Sequence, residues 1–161
     1  MIRFLKNSIK KFTLQTPRLL EGIKNKIDLN EPTLIFKSFG VLNKDKIFYI
    51  IKRSPGTGLF SNVTFVLNHL RICKKNNFIP IIDMENFKTI YNENKKIKNT
   101  NNAWEYYFEK LNDFTLEEVY QSQNVFITSD KFFHFFSYNM YLDKDLLKIL
   151  QSQIKIKKKF I

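Results

Sequence analysis

Ile47-Phe48-Tyr49-Ile50-Ile51, then Lys52-Arg53-Ser54-Pro55-Gly56-Thr57-Gly58, then a helix-patterned stretch ending at Asn77, then Phe78-Ile79-Pro80-Ile81-Ile82-Asp83: these four segments decide the fold. The first is β-branched and aromatic throughout, short, and uninterrupted by polar residues, as in a strand covered on both faces. The second places two of the protein's four glycines within three positions, so its backbone can turn tightly or approach a ligand. Ser61 or Asn62 is placed to N-cap a helix whose apolar positions Val63, Val66, Leu67, Leu70 and Cys73 follow helical spacing. Lys74-Lys75-Asn76-Asn77 is its stop signal. Strand, glycine turn, helix and strand over residues 46–83 read as a βαβ unit. The expectation is an α/β, Rossmann-like three-layer domain with a small parallel sheet. Pro80 lacks a ladder donor and fits a strand start or a sheet edge.

Downstream, Ala103-Trp104-Glu105-Tyr106-Tyr107-Phe108-Glu109 reads as a short aromatic helix, and Asn92 to Asn102 as a polar loop. Thr115-Leu116-Glu117-Glu118 has capping-box spacing and opens another short helix. Asn124 to Thr128 reads as a third strand, Ser129-Asp130 as the next cap, and Leu146, Leu147 and Leu150 as the inner face of a last helix. Residues 46–153 thus form the domain, preceded by a basic helical arm (1–45) and followed by a basic tail (154–161).

The chain has 161 residues and a net charge of +12. The charge is concentrated at the ends: residues 1–30 and 144–161 each carry +5, which leaves +2 for the middle. A nucleic-acid face is therefore disfavoured, since the domain itself is nearly balanced. Residues 2–27 mix apolar and basic positions around Pro17, which suits either a peripheral contact with an anionic membrane or a helical arm docked on the domain. One cysteine, Cys73, excludes an internal disulfide and fits a reducing compartment. No apolar stretch reaches the ~18 residues of a membrane span. The expected location is cytoplasmic, with the basic arm allowing a peripheral position at the inner membrane surface.

Three groups of residues carry candidate chemistry. The Gly56-Thr57-Gly58 turn would present backbone N–H groups and a helix N-terminus to an anion, or serve only as a short loop. It lacks both the dinucleotide fingerprint and a Walker A lysine. Asp83 and Glu85 follow the second strand on the same sheet edge and are the candidate acid–base pair, with turn capping as the alternative role for Asp83. Asn101, Asn102 and Glu105 flank Trp104, and amides beside a ring suit a polyhydroxylated ligand, although aromatic helices also serve simply as core. His69 and His134 read as packing residues, and no residue set has metal-ligand spacing.

Gly58-Leu59-Phe60-Ser61-Asn62, Asp83-Met84-Glu85-Asn86, Ile90-Tyr91-Asn92-Glu93 and Asn102-Ala103-Trp104-Glu105-Tyr106-Tyr107-Phe108 together resemble the N-terminal half of bacterial glycosyltransferases of the fucosyltransferase-like superfamily. That group is similar in turn to protein O-fucosyltransferases, whose G-x-F-x-N stretch Gly58, Phe60 and Asn62 match. The resemblance covers about residues 46 to 161. It implies one half of a GT-B architecture, with a glycan acceptor held mainly by this domain and a nucleotide sugar, often a GDP-sugar, mainly by a second domain. It implies no metal and no cofactor beyond that nucleotide-sugar co-substrate. Gly56, Thr57, Gly58, Phe60, Ser61 and Asn62 would line the cleft, Asp83 and Glu85 would contact or activate the acceptor hydroxyl, and Asn102, Trp104 and Glu105 would shape the site.

The family's H-x-R motif opens its second domain, whereas His69-Leu70-Arg71 spells it inside the first helix. On this reading the chain is a partial transferase whose donor half is missing or separate. The competing readings are a non-enzymatic adaptor whose basic ends bind anionic membrane or nucleic acid, and a small nucleotide-binding protein using the glycine turn. The transferase reading requires that turn to open onto a carbohydrate pocket.

Overall fold

A computed structural model describes residues 34–128 and 144–157. The expected basic helices of residues 2–27, the Ser129-Asp130 cap, His134 and residues 158–161 lie outside this range. The described chain is α/β, with an open four-stranded sheet of order β1-β4-β2-β3. The strands are β1 (Leu34–Lys37), β2 (Phe48–Ile51), β3 (Ile79–Ile82) and β4 (Val125–Thr128). The helices are α1 (Leu59–Asn76), α2 (Trp104–Tyr107), α3 (Leu116–Val119) and α4 (Lys144–Gln153).

The βαβ unit forms as its pattern predicts: β2 and β3 pair in parallel, Phe48 opposite Ile79 and Ile51 opposite Ile82, with α1 between them in sequence. β4 lies parallel on the other side of β2. The sheet as a whole is mixed rather than parallel, because β1 pairs antiparallel with β4, Leu34 opposite Thr128. β1 also lies within the residues assigned to a helical arm. Its four residues alternate half-buried Leu34 and Phe36 with exposed Ile35 and Lys37, and the Phe36 ring meets Phe126 edge-on at 5.2 Å. A single four-residue strand carries too little pattern to announce itself; its partner, more than eighty residues away, stabilises it.

Pro80 sits on the edge strand, as its chemistry requires. Ile79 and Asp83 donate to the carbonyls of Ile47 and Ile51, so the N–H that proline lacks falls on the side facing away from β2. Side chains alternate across the sheet. Tyr49, Ile51, Ile82 and Phe126 join α1, α2 and α4 in one core, while Phe48, Ile50, Ile81, Val125 and Ile127 join Val119 of α3 in another.

α1 begins at Leu59, earlier than the expected caps Ser61 and Asn62. The Asn62 amide oxygen accepts instead from the Thr57 N–H at 3.3 Å, reaching back from inside the helix to the loop. Asn77 ends α1 in the left-handed conformation, φ 57°, after the two lysines. The helix was patterned as one-sided, yet five consecutive residues, Val66 to Leu70, are buried, with α4 packed against it. α4 turns Leu146 and Ile149 inward with Leu150 half-buried against the same core, as expected for Leu146 and Leu150, but leaves Leu147 exposed, which corrects that one position. Ile149 completes an i, i+3 pair that faces the core more squarely than Leu147 does.

Residues 154–157, expected to lead away as a tail, instead bond to the end of α2: Glu109 donates to the Lys155 carbonyl and Lys157 to the Tyr107 carbonyl. Near β1, Gly40 donates to the Ser122 carbonyl, and a Cβ added there would overlap the Gln121 carbonyl oxygen. Gly40→Ala is therefore expected to lower stability by about 2 kcal/mol, read as a shift in denaturant midpoint at unchanged slope.

Candidate functional site

The glycine turn is built around Arg53 and Asn62. The Arg53 guanidinium stacks on Phe65, donates to the Ser61 carbonyl at 2.7 Å, and donates to the hydroxyls of Thr57 and Ser61 at 3.1 Å each. Of the two glycines only Gly56 has positive φ, 75°, and a Cβ there would press on the Asn62 amide oxygen. Gly58 has open space where its Cβ would stand. The Ser54–Pro55 bond is cis, the Ser54 hydroxyl donates to the Lys88 carbonyl, and Ile90 N–H donates to the Pro55 carbonyl, which ties the turn to the segment after β3. Phe60 stands 84% exposed. Side chains of the protein itself therefore fill the inside of the bend, and Phe60 points outward.

Asp83 is fully buried at the end of β3 and its carboxylate is engaged on both oxygens. One oxygen accepts from the N–H groups of Glu85 and Asn86, and the other from the Asn86 amide and the Tyr120 hydroxyl at 2.7 Å. Burial, with the Asp83 charge next, pushes the Tyr120 hydroxyl well above the usual tyrosine range, so it remains a donor. Asp83 thus organises a turn, the alternative its position allowed, while Glu85, two positions on, is half-buried and, among the described residues, accepts only from Asn101 at 3.5 Å.

Asn102 is the second organiser. Its amide oxygen accepts from the Met84 and Trp104 N–H groups, and its amide nitrogen donates to the Ile82 carbonyl at 2.7 Å and to Glu105 at 3.3 Å. These bonds clamp the end of β3 to the start of α2. Trp104 is 3% exposed and stacks on Phe108 at 4.3 Å between ring centroids. Its indole N–H has no hydrogen-bond partner among the described residues.

Alongside β3, a cavity of about 240 Å³ opens between Pro80–Ile82, Glu85, residues 96–101, Trp104, Glu105 and residues 110–116. It brings together Glu85, Trp104 and Glu105 from the predicted site. Asn102 lies just behind it, and its lining includes no residue of the glycine turn. The polar wall that the sequence did not single out comes from Lys96, Asn99, Lys110, Asn112 and Thr115. Lys98 and Asn99 have positive φ, 50° and 66°, between the mutually bonded Ile97 and Thr100, a two-residue hairpin turn that folds Lys96 and Asn99 over the cavity. The signal was present in the Asn-rich composition of residues 92–102, but composition does not fix direction.

His69 lies away from the cavity lining, 3% exposed, with Nδ1 2.8 Å from the Tyr49 hydroxyl. Burial, with the Arg53 charge second, lowers its pKa to about 3, so the ring stays neutral and shares a hydrogen bond with the Tyr49 hydroxyl at Nδ1. Among the described residues no cluster of three His, Cys, Asp or Glu is placed to hold a metal, and no helix is long and apolar enough to cross a membrane. Comparison with family models, with curated proteins and with solved structures returned no match.

Proposed function

We propose that this chain binds one sugar unit of a glycan in the cavity beside β3. The transferase reading, which required the glycine turn to open onto a carbohydrate pocket, is not carried further, since Arg53, Ser61 and Asn62 fill that bend and no residue of the turn lines the cavity. The observation that carries the sugar-binding reading is the convergence of Glu85, Trp104 and Glu105, from two separate segments, on one polar cavity. Its volume falls below the ~300–1,000 Å³ of drug-sized sites and suits a single ring. Half-buried carboxylates and amides can accept and donate to sugar hydroxyls, and a buried indole edge adds a donor.

Glu85, rather than Asp83, is the carboxylate that can accept from a sugar hydroxyl, because the Asp83 oxygens are already engaged by protein donors.

Trp104 is the protein's one tryptophan and lies in the cavity wall, so its fluorescence and its single indole N–H resonance report on occupancy. Titration with neutral hexoses and short glycans is expected to give a saturable change. Asn101→Ala and Glu85→Gln are each expected to weaken it about tenfold, the loss of one hydrogen bond to a charged or buried group. Gly58→Ala, at a position with open space, is expected to leave it unchanged. Absence of any saturable response to the sugars would overturn the reading.

A further inference from the structure

The cavity carries four ionisable side chains that do not pair with one another. Glu85 and Glu105 accept from the Asn101 and Asn102 amides, at 3.5 and 3.3 Å. Lys96 and Lys110 line the same space from the exposed side, and neither ammonium has an ion pair or hydrogen bond among the described residues. The Trp104 indole N–H in the same wall is likewise without a partner. Each carboxylate accepts one amide donor and keeps lone pairs for hydroxyls, while the buried indole N–H and the two exposed rim ammoniums can donate, so a ligand that carries both hydroxyls and an acidic group complements the cavity.

We infer that the cavity takes an acidic saccharide, its hydroxyls on Glu85, Glu105 and Asn101 and its carboxylate or phosphate between Lys96 and Lys110. This rests on the sugar-binding reading and narrows it to a class of saccharide. The acidic substituent is recognised by charge at the rim, where lysines act as compact point donors rather than as a geometric fork, so a carboxylate and a phosphate are both admitted.

The test titrates the full chain with glucose, glucuronate, a hexose phosphate and inorganic phosphate, following the Trp104 fluorescence and indole resonance at low and moderate salt. Glucuronate and the hexose phosphate are expected to bind about tenfold or more tightly than glucose, since charge-assisted hydrogen bonds are roughly twice as strong as neutral ones. Added salt is expected to shrink that advantage, because the lysines are exposed. Lys96→Ala and Lys110→Ala, both at exposed positions, are expected to remove it, read as the ratio of acidic-sugar to glucose affinity in each variant. Stronger binding of one acidic sugar than the other identifies which oxyanion the rim prefers and supports the inference.

Equal affinity for glucose and the acidic sugars, or an advantage that survives both lysine changes, would overturn the inference and leave the sugar reading standing. Inorganic phosphate binding as tightly as the hexose phosphate, with no response to glucose or glucuronate, would overturn both. So would silence from all four probes.

Discussion

Asp83→Ala is expected to destabilise the protein by about 3 kcal/mol, the cost of removing several hydrogen bonds to a buried charged acceptor. The side chain is fully buried and holds two backbone N–H groups, one side-chain amide and the Tyr120 hydroxyl. Its loss leaves the partly buried donors around it without the acceptor that holds the turn. Asp83→Asn should cost much less, about 1–2 kcal/mol. The amide oxygen can still accept from Glu85 and Asn86, and the Tyr120 hydroxyl can rotate to accept from the new amide nitrogen. Chemical denaturation of the three proteins gives the ranking. If Asp83→Ala unfolds no more easily than the parent, the turn is not held as described. Because Asp83 organises the turn and does not line the cavity, Asp83→Asn should also retain sugar binding there.

Acidification should weaken the fold through His69. In the folded state its pKa is lowered to about 3 by burial and by the Arg53 charge, while in the unfolded chain it returns to about 6.5. Between these values the unfolded chain binds a proton that the folded one does not. The stabilisation is therefore fully present above about pH 6.5 and is lost as the pH falls towards 3, at about 1.4 kcal/mol per pH unit. By pH 4 the loss should reach about 3 kcal/mol. His69→Gln keeps an acceptor for the Tyr49 hydroxyl and has no proton to take up, so the slope across this window should flatten in the variant. Denaturant midpoints at pH 7, 5.5 and 4 for both proteins decide the matter; parallel curves would show that His69 is not the group responsible.

The βαβ unit was legible because its signals are local and agree with one another. The run from Ile47 to Ile51 has no other stable use than a doubly covered strand, the glycines follow at once, and the spacing from Val63 to Cys73 is helical. Thr115 caps α3 as its spacing predicts, accepting from the Glu118 N–H at 3.1 Å, and Pro80 took the edge its missing donor demands. Each of these depends on residues within a few positions of one another, where backbone sterics and hydrogen-bonding chemistry act without help from the rest of the chain.

Tertiary structure alone decided the remainder. β1 exists because β4 offers it a ladder, which it takes up in the antiparallel direction. Whether a carboxylate is reactive depends on what surrounds it: Asp83 and Glu85 stand two positions apart, yet one is closed in by four donors and the other faces a cavity. Lys96, Lys110 and Asn112 join that cavity only because the 97–100 hairpin and the segment before α3 converge on the open side of β3. Sequence fixes which groups a chain possesses and its local turns and helices, but burial and direction are properties of packing between distant segments, and those two properties separate a reacting group from a supporting one.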